Sequence, residues 1–146
     1  MLISPTMPHN ATAPGSILQE KWGSAIEGGF QLIPNVLIRA QKQLGLDAVD
    51  VLVLLNLNLH WWSPASLPFP RPAMIANRMG VSKRTIERRL QRLAENGFIE
   101  RLPPIRQKSG PRVRPYRLTG LVKRLQSATG VGLAQRTYRR ASEYVE

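Results

Sequence analysis

Two glycines punctuate the most restrictive stretch of this chain, AMIANRMGVSKRTIERRLQRLAENGFIER. Upstream of Gly80, Pro72 opens a short helix carrying Met74, Ile75 and Met79, because proline is favoured at a first helical position. Gly80 stands where a left-handed residue ends a helix at little cost. Val81 plugs the turn, and Ser82 is a natural N-cap for the next helix, its hydroxyl able to accept from the backbone N–H of Arg84 or Thr85. From there Ile86, Leu90 and Leu93 recur at i, i+4 and i+7, and Gly97 closes the run. Few arrangements satisfy this pattern other than two short helices joined by a tight turn, the second burying one narrow stripe.

The opposite face of that second helix is basic. It presents Arg84, Arg88, Gln91 and Glu95, flanked by Thr85, Glu87 and Arg92, with Lys83 in the first turn. Arginine donates two hydrogen bonds to guanine O6 and N7, or clamps a phosphate. Ser82, Thr85 and the free N–H groups of the first turn suit a phosphate at the helix N-terminus. A solvated amphipathic helix would show the same outer face, but would need neither the glycine turn, nor the cap, nor a hairpin behind it. Phe98, Ile99 and Leu102 read as a strand, PPIRQKSGPRVRP as a basic loop, and Val113, Tyr116 and Leu118 as a returning strand. Strand, loop and strand behind a recognition helix describe a wing, whose Arg106, Lys108, Arg112 and Arg114 would reach the backbone or an adjacent minor groove. A mobile loop that merely aids solubility is the bland alternative.

Charge decides between them. The chain has 146 residues with 21 Lys and Arg against 9 Asp and Glu, a net +12. Residues 71–117 hold thirteen Lys and Arg against three Glu, so +10 of that excess is concentrated on the predicted reader. Such an imbalance attracts polyanions.

The run MIANRMGVSKRTIERRLQRLAENGFIER resembles the winged helix-turn-helix of bacterial, phage and plasmid DNA-binding proteins, including replication-initiation proteins and MarR- or GntR-type regulators. In that pattern G-V-S-x-R-T-I opens the recognition helix and L-x-x-L-x-x-x-G-F-I-x-R carries it into the first wing strand. Both halves stand here, at Gly80–Ile86 and Leu90–Arg101. The likeness extends loosely upstream through GFQLIPN. It implies DNA contacts from Ser82, Arg84, Thr85, Arg88 and Arg89, although Arg89 lies nearer the apolar stripe than the others. It implies duplex DNA as partner but not a biological role, since one module serves regulators, replication factors and plasmid or phage maintenance proteins alike. A homodimer or cooperative assembly on DNA is compatible with it.

Elsewhere, residues 1–20 read as a flexible arm rich in proline, without the basic n-region and apolar core of a signal peptide. IEGGFQLI suggests a hairpin about Gly28–Gly29. A helix is expected over 34–44, stopped by Gly45, and a second, capped by Asp47, through about His60. The second is apolar on more than one face and so expected to lie between two layers, but is too short to span a bilayer. SPASLPFPRP excludes helix and allows a short edge strand at Leu67 and Phe69. A further helix begins at Thr119 or Gly120, and Gly130–Gly132 separates it from a last one over 133–145 bearing Arg136, Tyr138, Arg139 and Arg140. The expected fold is thus mainly α with a small β-hairpin wing: an arm (1–20), a winged helix-turn-helix domain (21–125, its reader at 69–118) and a helical or flexible tail (126–146).

An enzyme is not expected. His9 and His60 are far apart, the carboxylates form no D-x-D pair, and GxxxxGK[ST], GxGxxG and HExxH are all absent. Neither metal nor cofactor is expected. With no cysteine the chain forms no disulfide framework, consistent with the cytoplasm. Trp61 and Trp62 read as core-closing or subunit-contact residues more than as stacking platforms for single strands. Two other functions compete: a winged-helix adaptor between proteins, which would not need the outer arginines, and an RNA-binding module, which would interleave aromatics with its basic residues.

Overall fold

The computed structural model of the chain describes residues 14–129. These divide between Leu32 and Ile33 into two units. The first holds α1 (Pro14–Trp22) and a 3-10 helix at Gly23–Gly28. Helix therefore begins within the stretch expected to be an arm. Proline suits the start of a helix, and from Ile17 to Trp22 no glycine or proline interrupts it. Nor do Gly28 and Gly29 turn a hairpin. Only Gly29 has positive φ (93°), whereas a type I′ turn requires two such residues, and the Gly29 N–H instead closes the 3-10 helix on the Ile26 carbonyl at 2.9 Å.

The second unit is mainly helical with a small antiparallel sheet. It runs α2 (Asn35–Arg39), α3 (Ala48–Asn58), α4 (Pro72–Met79), α5 (Lys83–Glu95), β1 (Glu100–Arg101), β2 (Tyr116–Arg117) and α6 (Thr119–Thr129). α2 is half the length expected. Pro34 is its N-cap rather than its first residue, and at Ala40 (φ −101°, ψ 10°) the backbone leaves the helix for turns that end at Gly45. There the Gln41 side chain takes the Ile38 carbonyl at 3.0 Å, the acceptor a continuing helix would have used.

α3 starts at a reciprocal capping box: Asp47 accepts from the Asp50 N–H at 2.8 Å, and Asp50 accepts from the Asp47 N–H at 3.1 Å. Its Val53, Leu54 and Leu57 are fully buried, and the helix packs on α5. Leu54 also lines a cavity with Val36 and Leu37 of α2, so α3 has α5 and α2 as neighbours, while Leu52 is exposed. Between α3 and α4 no edge strand forms, because Pro68 and Pro70 have no N–H to return to a ladder. One bond survives, from the Tyr116 N–H to the Pro68 carbonyl at 2.9 Å.

Around the central turn the sequence reading and the structure coincide. Pro72 opens α4, Gly80 is left-handed (φ 68°, ψ 31°), and the Ser82 hydroxyl accepts from the Thr85 N–H at 3.1 Å. Ile86, Leu90 and Leu93 are buried. α5 ends in a Schellman motif, with the Phe98 N–H on the Leu93 carbonyl (2.9 Å) and the Gly97 N–H on that of Ala94 (3.1 Å).

The strands are shorter than expected. Glu100 faces Arg117 and Arg101 faces Tyr116, and an isolated bridge joins Ile105 to Val113 further along the hairpin. α6 then packs along α2 and runs unbroken across the predicted boundary at 125/126. The helix expected over 133–145 lies outside the described residues, as do residues 1–13 of the arm.

Candidate nucleic-acid interface

α5 and the β1–β2 hairpin enclose a groove of about 640 Å³. From one wall project Arg84, Arg88 and Gln91 of α5, and from the other Arg101, Arg112 and Arg114. Arg71, the N-cap residue of α4, adds a sixth guanidinium at one end. Buried Leu90, Val113 and Tyr116 form the floor. Burial pushes the Tyr116 phenol above its ordinary value, so it stays neutral beneath the cations.

One carboxylate, Glu87, enters this groove against the six arginines, and it is engaged by Lys83 at 3.6 Å on its own helix. Arg71, Arg84, Arg88, Arg101 and Arg112 make no ion pair with any described residue. Arg114 is steadied by the Leu102 carbonyl at 3.4 Å. Like charges held side by side without counter-ions raise the local potential, and the chemistry that best relieves it is a chain of anions.

The residues expected to form the site divide into four groups. Arg84, Arg88, Gln91, Arg112 and Arg114 come together in the groove. Ser82, Lys83 and Thr85 lie at the start of α5, with the two hydroxyls bonded to each other at 2.9 Å. Arg106 and Lys108 are exposed on the hairpin loop but do not line the groove.

Arg89 and Arg92 face elsewhere. Arg89 is paired with Asp47 and, at 3.3 Å, with Asp50, while Arg92 lies 3.5 Å from Asp50 and 4.0 Å from Asp47. Asp50 is buried to 1% exposure, so its charge is matched by these two guanidiniums and by the Asp47 N–H. Partial burial pushes the Asp47 carboxyl up, but the Asp50 N–H and Arg89 outweigh it and hold the group below its usual range. The Asp47 hydrogen bond raises Arg89 in turn. Arg92 has the spacing of the outer face and Arg89 lies nearer the apolar stripe; both sit on the flank of α5 that meets α3.

Arg71 and Arg101 join the groove without having been expected there. Arg71 immediately precedes Pro72, so its place at the start of α4 is a signal the sequence carries. Arg101 is placed by the pairing of β1 with β2, which no local pattern reports.

These elements have counterparts in known proteins. Residues 33–132 match the DnaD N-terminal domain family. This chain belongs to that family. The DnaD N-terminal match begins at Ile33, where the second unit begins, and includes every element of the groove. It is more specific than the broad likeness to regulators and initiators. A curated DnaD relative, the replicative helicase loading/DNA remodeling protein DnaD of Bacillus subtilis, is 32% identical over 73 residues. That alignment covers 50% of this chain and 31% of the relative, so the chain spans about a third of the relative's length. Among solved structures, the N-terminal domain of DnaD from Geobacillus kaustophilus superposes with a TM-score of 0.56 at 27% identity, covering 82% of this chain and 96% of that one.

Proposed function

We propose that this DnaD-type chain is a winged helix-turn-helix that grips duplex DNA, with α5 in the major groove and the β1–β2 hairpin as the wing, in the service of DNA replication. The observation that carries the reading is the groove itself, where six arginines converge and none has an acidic partner among the described residues. A groove between recognition helix and wing is suited to straddling a phosphate backbone, with Arg84, Arg88 and Gln91 within reach of base edges and Arg101, Arg112 and Arg114 clamping from the other side. The replication setting rests on the Bacillus subtilis relative, whose name joins helicase loading with DNA remodeling. Readout of guanine by Arg84 or Arg88 would give the grip a sequence preference, and assembly of several copies along DNA would fit such a role.

The test is fluorescence anisotropy with labelled duplexes over a range of salt. If all six arginines neutralise phosphates, affinity should fall by about 10³-fold between about 50 and 200 mM salt. Arg84→Ala and Arg88→Ala should each cost about 1–3 kcal/mol on a selected site and less on random duplex. Equal losses on both kinds of DNA would remove base readout, and no association at low salt would remove the reading altogether.

A further inference from the structure

α5 carries arginines on two flanks, and only one flank is free. Arg84 and Arg88 in the groove have no acidic partner among the described residues, whereas Arg89 and Arg92 are drawn to the two carboxylates of the α3 capping box. The two pairs are unequal. The Arg89 side chain is 25% exposed and bonded to both acids; Arg92 is 47% exposed, and its contacts are the longer ones, at 3.5 and 4.0 Å. Arg92 lies about 40° round the helix from Arg88, taking about 100° for each of four residues, at the border between the α3 contact and the proposed DNA face. Its guanidinium therefore has a choice that Arg89 lacks.

The acids that hold it are themselves tied down. Asp50 is almost wholly buried, and Asp47 is fixed by capping α3, so neither can turn away to release its cation. Two positive charges meet two negative ones, and the cluster presents no net charge to a polyanion. Taking away one negative charge would leave a single carboxylate for two guanidiniums, and the more buried Arg89 would keep it.

We propose that Arg92 is a reserve phosphate contact, held off the duplex by Asp47 and Asp50, so that the α3 carboxylates limit how tightly α5 grips DNA irrespective of sequence. This rests on the DNA-binding reading of the groove. Withholding one sequence-blind contact leaves base-reading arginines a larger share of the binding energy, which makes Asp47 a specificity-setting residue that never touches DNA.

The experiment compares Asp47→Asn and Asp47→Ser, alone and combined with Arg92→Gln, on random-sequence duplex. Asparagine and serine both serve as N-caps, so α3 keeps its start. Each single variant should bind about 3- to 10-fold more tightly at about 50 mM salt, and its log–log salt slope should steepen by about 0.9, one added phosphate contact. Arg92→Gln should cancel both gains. By itself Arg92→Gln should cost less affinity than Arg88→Gln, a comparison that stands even if the Asp47 variants fold poorly. Gains that persist in the double variants would reduce the effect to bulk charge and overturn the proposal. So would an unchanged or weakened Asp47→Asn protein, or an Arg92→Gln loss equal to that of Arg88→Gln. Failure of the unaltered chain to bind any duplex would instead strike the DNA reading first, and the reserve contact with it.

Discussion

Replacing Gly120 by alanine should destabilise the second unit, although alanine is the better helix former. A β-carbon at this position would overlap the Gly97 carbonyl oxygen and come within 3.1 Å of both the Gly97 carbonyl carbon and the Phe98 oxygen. All three are backbone atoms in the C-terminal motif of α5, so no side chain can swing aside to make room. α6 must retreat instead. Retreat stretches the bond from the Leu121 N–H to the Phe98 carbonyl, now 2.7 Å, whose loss costs about 1 kcal/mol. It also lifts Arg124 from the Phe98 ring, 4.6 Å below it, and from the Asn96 carbonyl that it caps, removing roughly another 0.5–1 kcal/mol. Overpacking elsewhere in cores costs about 1–3 kcal/mol. Against this stands at most about 1 kcal/mol of helix propensity, less at a helix start. The net expectation is a loss of about 2–3 kcal/mol, read as a lower urea midpoint with an unchanged slope. Gly28→Ala, where a β-carbon meets nothing within 4 Å, is the control. A Gly120→Ala protein as stable as the parent would show that α6 does not depend on this close approach.

Arg112→Ala should weaken duplex binding more than Lys108→Ala, since Arg112 lines the groove and Lys108 does not; anisotropy titrations at one salt concentration decide it, and equal losses would mean that loop charge matters without the groove. His60 is held below its ordinary value of 6.5, by burial first and by Arg78 second. The unfolded chain then takes up its proton before the folded one does, so stability should fall as pH drops below about 6.5 and level off once the folded imidazole is protonated. Urea titrations at about pH 5, 6 and 7 should show a shallower dependence in His60→Gln; an identical dependence would place the sensitivity elsewhere.

Legibility in the sequence tracks how local each determinant is. Pro72, Gly80, Ser82 and Gly97 act through their own backbone and nearest neighbours, and α4, the turn and α5 stand where those residues put them. The capping residue Asp47 is legible for the same reason. The glycine pair at 28–29 misleads because two glycines permit a primed turn without enforcing one, and a 3-10 helix satisfies the same backbone groups. At 67–70 the apolar residues have strand character, but prolines on alternate positions leave a single ladder bond. The groove is half visible: its α5 wall follows from helical spacing and Arg71 from its place before Pro72, whereas Arg101 joins it through a strand register that leaves no periodic trace.

Arg92 shows most sharply what spacing alone withholds. Helical periodicity fixes angles between residues on one helix, but which flank meets solvent depends on what the neighbouring helices offer. Here α3 offers two carboxylates at its N-terminus, about forty residues upstream and already used to cap their own helix. Asp47 and Asp50 thus serve twice: they begin α3, and they neutralise Arg89 and Arg92 on the flank of α5 that the buried stripe of Ile86, Leu90 and Leu93 brings beside α3. The same stripe turns Arg84 and Arg88 toward the hairpin, where they have no acidic partner among the described residues. The bare charge of the groove and the neutrality of the opposite flank are therefore one arrangement. A change at Asp47 should free positive charge beside the groove without altering a single residue that lines it.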